Sequence, residues 1–117
     1  MKRGDLYRVF RGAKDDPKDY RIFLVVSRQL LIDNQFPSVI CAPVYTKYDG
    51  YPTQIEVGTN EGLKHESAVY CDALVSLQKL TLTNYIGTLS DAKMEEVNTA
   101  LRIALAIDTE NYCPSLI

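Results

Sequence analysis

The sequence predicts a mainly-β (α+β) domain, a small curled antiparallel sheet or barrel with one amphipathic helix packed on it. Two observations carry that prediction. Short runs rich in Val, Ile, Tyr, Phe and Thr recur through most of the chain, bounded by Gly, Pro, Asn and Asp. Near the end, Met94, Val97, Leu101, Ala104 and Leu105 form a single apolar stripe at helical spacing.

The elements follow in order. Residues 6–10 (LYRVF) form a first strand behind the turn formers Gly4 and Asp5. Residues 11–19 (RGAKDDPKD) lack apolar periodicity and contain Gly12 and Pro17, as a solvated hairpin loop does. Residues 20–27 (YRIFLVVS) are continuously apolar after Arg21, the pattern of a strand buried on both faces. Residues 28–34 make a short helical turn at most, and 38–44 (SVICAPV) a second buried strand, stopped or bent by Pro43. Residues 45–52 form a loop turning at Asp49-Gly50. Residues 53–57 alternate as a half-exposed strand, 58–64 turn, and 67–74 form the next strand. A last short strand at 85–89 leads to Ser90, a credible helix N-cap with Asp91 in the first turn.

A chain of 117 residues with 46% hydrophobic content is one domain's worth and can build a core without staples. One domain over 1–117 is expected, with its core at about 2–107 and a fraying tail at 108–117. Three cysteines without C-x-x-C spacing, and no apolar N-terminal run, point to a reducing cytoplasm. Apolar runs such as Ile22 to Val26 are far shorter than the roughly 20 residues that span a bilayer, so no membrane partner is expected. The net charge of −2 is unlike that of a bulk nucleic-acid binder. The charge is nevertheless uneven. Residues 1–50 carry nine Lys/Arg against six Asp/Glu, and residues 51–117 four against nine, so a polyanion should meet the N-terminal half.

Chemistry has few places to reside. The single His65 lies in a polar turn, where a histidine is ordinarily just exposed, and one chain cannot supply two imidazoles. Cys41 and Cys71 sit in apolar strands as small core residues. No phosphate-binding glycine motif or metal-ligand cluster appears, so no cofactor and no metal are expected. What remains is Arg21 at the mouth of a buried strand, the triplet Tyr45, Thr46 and Lys47 after another, and Asp72 within a third. A carboxylate in an apolar strand needs a partner. Either Asp72 is structural, paired with an Arg or bonded to backbone, or it belongs to a site in which Arg21 holds a phosphate and Asp72 acts as a base.

The order of motifs resembles the MazF/PemK toxins. Lys2-Arg3-Gly4-Asp5-Leu6-Tyr7, Arg21-Ile22-Phe23-Leu24-Val25-Val26, Cys41-Ala42-Pro43-Val44-Tyr45-Thr46-Lys47 and Tyr51-Pro52-Thr53 look like that family's successive strands. Gly62-Leu63-Lys64, Ala68-Val69-Tyr70-Cys71-Asp72, Ile86-Gly87-Thr88-Leu89-Ser90 and the final helix continue the likeness to about Ile107. The resemblance implies an SH3-like barrel in a homodimer. It also implies a sequence-selective, metal-independent endoribonuclease acting on single-stranded RNA, inhibited by a small antitoxin and meeting DNA only through the antitoxin complex. The family's catalytic Arg falls on Arg21, with Ile22 replacing its usual Pro. Its catalytic Thr falls by register on Tyr45, with Thr46 next, and Asp72 matches an Asp that is catalytic in some members. Tyr70 stands where a polar residue precedes that Asp. On this reading Lys14, Lys18, Lys47, Tyr70 and His65 are RNA contacts. Two rival classes stay open: a CcdB-like gyrase poison that shares the fold, and a catalytically decayed member that binds antitoxin and, with it, operator DNA.

Overall fold

The computed structural model describes residues 1–10 and 20–107; the expected loop 11–19, with Lys14 and Lys18, and the expected tail 108–117 lie outside them. Seven strands and two helices are described: β1 (Asp5–Phe10), β2 (Tyr20–Val25), α1 (Gln29–Asp33), β3 (Ser38–Tyr45), β4 (Gln54–Val57), β5 (Ser67–Tyr70), β6 (Val75–Gln78), β7 (Asn84–Thr88) and α2 (Asp91–Ala104). The sheet runs β4-β5-β3-β2-β1-β7, with every described pair antiparallel, and β6 pairs with the first half of β3.

β3 serves two partners on one flank. Residues 38–41 face β6, while Val44 and Tyr45 face β5. Pro43, which has no N–H to donate, lies in the gap between those ladders, so it passes through a strand without breaking it.

β2 is continuously apolar because both of its faces are covered. Leu24 and Val26 join Leu6, Val44, Val69, Val97 and Ala100 in a first core beneath α2. Phe23 and Val25 join Tyr7, Val9, Ile32, Val39 and Leu77 in a second core beneath α1 and β6. Successive side chains of a strand point to opposite faces, so one run feeds both. α2 begins where expected, the Ser90 hydroxyl accepting from Lys93 N–H at 3.1 Å. Its stripe is shorter than the spacing suggests, since Leu105 falls past the last turn and is exposed.

The curl brings the β4–β5 connection against β7. There the 3-10 turn Thr59–Glu61 and Gly62 meet Ile86 and Gly87 at backbone distance. A Cβ on Gly87 would run into the Glu61 carbonyl oxygen, and one on Gly62 would sit 2.8 Å from the Ile86 carbonyl oxygen. Gly62 also has φ +94°, a region that disfavours other side chains. The result is an antiparallel half-barrel with the C-terminal helix α2 packed on it. No helix among the described residues is long and apolar enough to cross a membrane.

Two expectations need correction. The strand expected at 67–74 ends at Tyr70, followed by a 3-10 turn, Cys71–Ala73, so Asp72 is not strand-embedded; its side chain is exposed. Val75–Gln78 form a further strand beyond those the sequence reading assigns; its Val-Ser-Leu-Gln alternation spans only four residues, of which Leu77 alone is buried.

Candidate active site

The Phe10–Tyr20 end of the β1–β2 pair gathers charge and aromatic rings. Arg21 stands opposite Val9 at the start of β2, exposed, and its Nη1 donates to the Tyr20 carbonyl at 3.0 Å. The Tyr20 ring packs against Phe10 with centroids 5.2 Å apart, and the Arg8 guanidinium lies 5.3 Å from the Tyr20 centroid. With the Asn84 amide oxygen turned toward it, Arg8 also donates from Nε and Nη2 at 3.3 and 3.1 Å.

A second cluster surrounds the end of β3. Tyr45 meets Tyr70 edge-to-face at 4.8 Å, and Tyr70 Oη donates to the Lys47 carbonyl at 2.6 Å. Lys47 Nζ lies 3.4 Å from Asp49 Oδ1, and Asp49 is also held by Gln54 Nε2 at 3.1 Å. The Gln54 hydrogen bond, aided by the Lys47 charge, holds the Asp49 carboxyl below the ordinary aspartate range. Desolvation, followed by the Asp49 charge, raises the Tyr70 phenol above its own. Lys47 therefore reaches solvent with a carboxylate already beside it, an exposed pair that a phosphate can exchange.

Thr46 points elsewhere. Together with Arg8, Ile22, Val44, Leu63 and His65 it lines a semi-enclosed cavity of about 220 Å³ at the glycine seam. The register explains the grouping: Arg8 pairs with Ile22 and Ile22 with Val44, so these three share a sheet face, while their neighbours Val9, Phe23 and Pro43 share the other. His65 is exposed in the β4–β5 connection and reaches this rim.

Asp72 is apart from both. Its Oδ2 accepts from the buried Thr53 hydroxyl at 2.5 Å, which supplies the expected partner, though not Arg21. β3 lies between β2 and β5, so strands about 10 Å apart separate Arg21 from the segment carrying Asp72. Cys41 and Cys71 are buried, and burial pushes both thiols up to about 12, with the Asp72 charge adding to the effect on Cys71. Neither is an activated nucleophile. Among the described residues, no three His, Cys, Asp or Glu side chains converge to hold a metal ion. Arg8 was absent from the sequence-derived candidates. The available signal was a charged residue between Tyr7 and Val9 in an otherwise buried strand.

Residues 2–105 match the family model described as a PemK-like, MazF-like toxin of type II toxin-antitoxin systems. The chain belongs to the PemK/MazF toxin family. An endoribonuclease MazF of Staphylococcus saprophyticus is 30% identical over 113 residues, covering 93% of this chain and 94% of the relative. A solved endoribonuclease from a mycobacterial species superposes with a TM-score of 0.76 at 26% identity, covering 92% and 93% of the two chains. A mycobacterial endoribonuclease solved in complex with its cognate antitoxin gives 0.71 at 27% identity, covering 92% and 94%. These PemK/MazF matches do not favour the CcdB-like alternative.

Proposed function

We propose that this PemK/MazF toxin is a metal-independent endoribonuclease that cleaves single-stranded RNA by attack of a ribose 2′-hydroxyl. The observation that carries the reading is the near full-length match to the toxin family, reinforced by a 30%-identical relative named as an endoribonuclease. The exposed Arg21 supports it. In this reaction the 2′-oxygen forms a bond to phosphorus, and the phosphorus–5′-oxygen bond breaks. The 2′-proton passes to a base, and the leaving 5′-oxygen takes up a proton. The products are a 2′,3′-cyclic phosphate and a 5′-hydroxyl, so the protein supplies only a base, a proton donor and charge stabilisation.

Arg21 takes the charge of the phosphorane and protonates or steadies the leaving oxygen. Asp72 is the base; because β3 separates it from Arg21 within one chain, this role calls for a site completed by a second copy. Tyr45 or Thr46 donates a hydrogen bond to the phosphate. Lys47, with Lys14 and Lys18, guides the backbone, while Tyr70 and His65 contact nucleotides. Incubation of the purified protein with long RNA in EDTA, followed by mapping of the ends, tests the reading. Discrete recurrent cuts are expected, and intact RNA at stoichiometric enzyme refutes it.

The inhibitor on this reading is an acidic, flexible antitoxin segment lying over the same cations, acting in the cytoplasm and linking the toxin to DNA only as a complex. It should displace a fluorescent, uncleavable RNA from the protein. RNA that remains bound at saturating antitoxin would separate the two sites.

A further inference from the structure

We propose that the cavity at the glycine seam is a nucleotide subsite that takes one unstacked base of the RNA strand, a specificity element built on the ribonuclease reading above. Its volume of about 220 Å³ exceeds the roughly 150 Å³ that admits benzene and is below the roughly 300 Å³ at which drug-sized pockets begin. One heterocyclic ring system fits such a space. Ile22, Val44 and Leu63 give it apolar walls for the faces of a base. At the rim, the Thr46 hydroxyl and the His65 imidazole have no hydrogen-bond partner among the described residues, leaving both available to a base edge.

Among the described residues, the charged side chains that line the cavity, Arg8 and Lys64, are both cationic, although the molecule as a whole is negative. An aliphatic side chain of a peptide would fill the walls but make no use of the two rim groups; a nucleotide uses walls, rim and cations together. The cavity begins one residue along β2 from Arg21: Ile22 forms part of its wall and, by the alternation of a strand, faces the opposite side of the sheet from Arg21.

The test uses an oligonucleotide spanning a mapped cut, made uncleavable by 2′-O-methylation at the cleaved nucleotide, with each position replaced in turn by an abasic residue. One position is expected to weaken binding to the wild type about tenfold, the scale of one lost base contact. Ile86→Phe, which narrows the cavity, should weaken the parent RNA by a similar factor and remove that position's penalty, as coupled sites do. A second measurement needs no variant: 4-thiouridine at the sensitive position should crosslink to the segment 62–67 or to Ile86. Cleavage with no sensitive position, a penalty that survives Ile86→Phe, or crosslinks elsewhere would overturn the subsite and leave the ribonuclease reading standing. Loss of antitoxin binding with RNA binding unchanged in Ile86→Phe would assign the cavity to peptide and also overturn it. RNA neither bound nor cut would remove both proposals.

Discussion

Arg21 and Asp72 share the chemistry proposed for this toxin although β3 stands between the strands that lead to them. Their burial sets what substitution should do. Both side chains are exposed, so Arg21→Ala and Asp72→Asn should fold normally. Arg21→Ala should lose about 10²–10³ in turnover, the effect of removing one group that stabilises charge in the transition state. Asp72→Asn should also lose activity, since the amide cannot accept the 2′-proton. Turnover measured beside circular dichroism checks both, and wild-type rates in well-folded Arg21→Ala would locate the chemistry elsewhere. Tyr45 and Thr46 are neighbours in sequence but not in environment: one meets Tyr70 edge-to-face and the other lines the cavity. The alternation of a strand's end separates them, and residue spacing alone does not reveal which one faces a substrate.

At the scale of elements, the glycine seam holds the half-barrel closed and shapes the cavity. Gly87→Ala should separate β7 from the Thr59–Glu61 turn, because the new methyl meets a backbone carbonyl and not a movable side-chain tip. A loss of about 1–3 kcal/mol is expected, the usual cost of overpacking, and would be read as a lower urea midpoint. An unchanged midpoint would mean that the seam is not a tight contact. Much of this architecture is legible in sequence. The double burial of β2 shows as an unbroken apolar run, and the α2 start shows as Ser90-Asp91. Asp72 was misplaced because Ala68-Val69-Tyr70-Cys71 looks like a strand that continues, whereas its Thr53 partner lies 19 residues back. The cavity has no sequence signature, since β1, β2, β3 and the turns beyond β4 each contribute only one or a few residues.

For the whole molecule, the proposed active site needs two subunits. Leu80 is 88% exposed, Leu30 71% and Phe36 52%, apolar surface that a lone copy leaves in water. Light scattering should give a dimer at micromolar concentration, and a monomer would contradict the proposal. Composite sites make a sharper prediction. Coexpressed Arg21→Ala and Asp72→Asn chains, each impaired alone, should regain activity as mixed dimers, because one composite site then holds both intact residues. Absence of any recovery would place Arg21 and Asp72 in the same subunit's site or in different steps.

End-group chemistry on RNA cut in EDTA tests the route of bond breaking most directly. A 2′,3′-cyclic phosphate on the upstream fragment and a 5′-hydroxyl on the downstream one are expected, with cutting undiminished by the chelator. A 5′-phosphate on the downstream fragment, or cleavage abolished by EDTA, would contradict it.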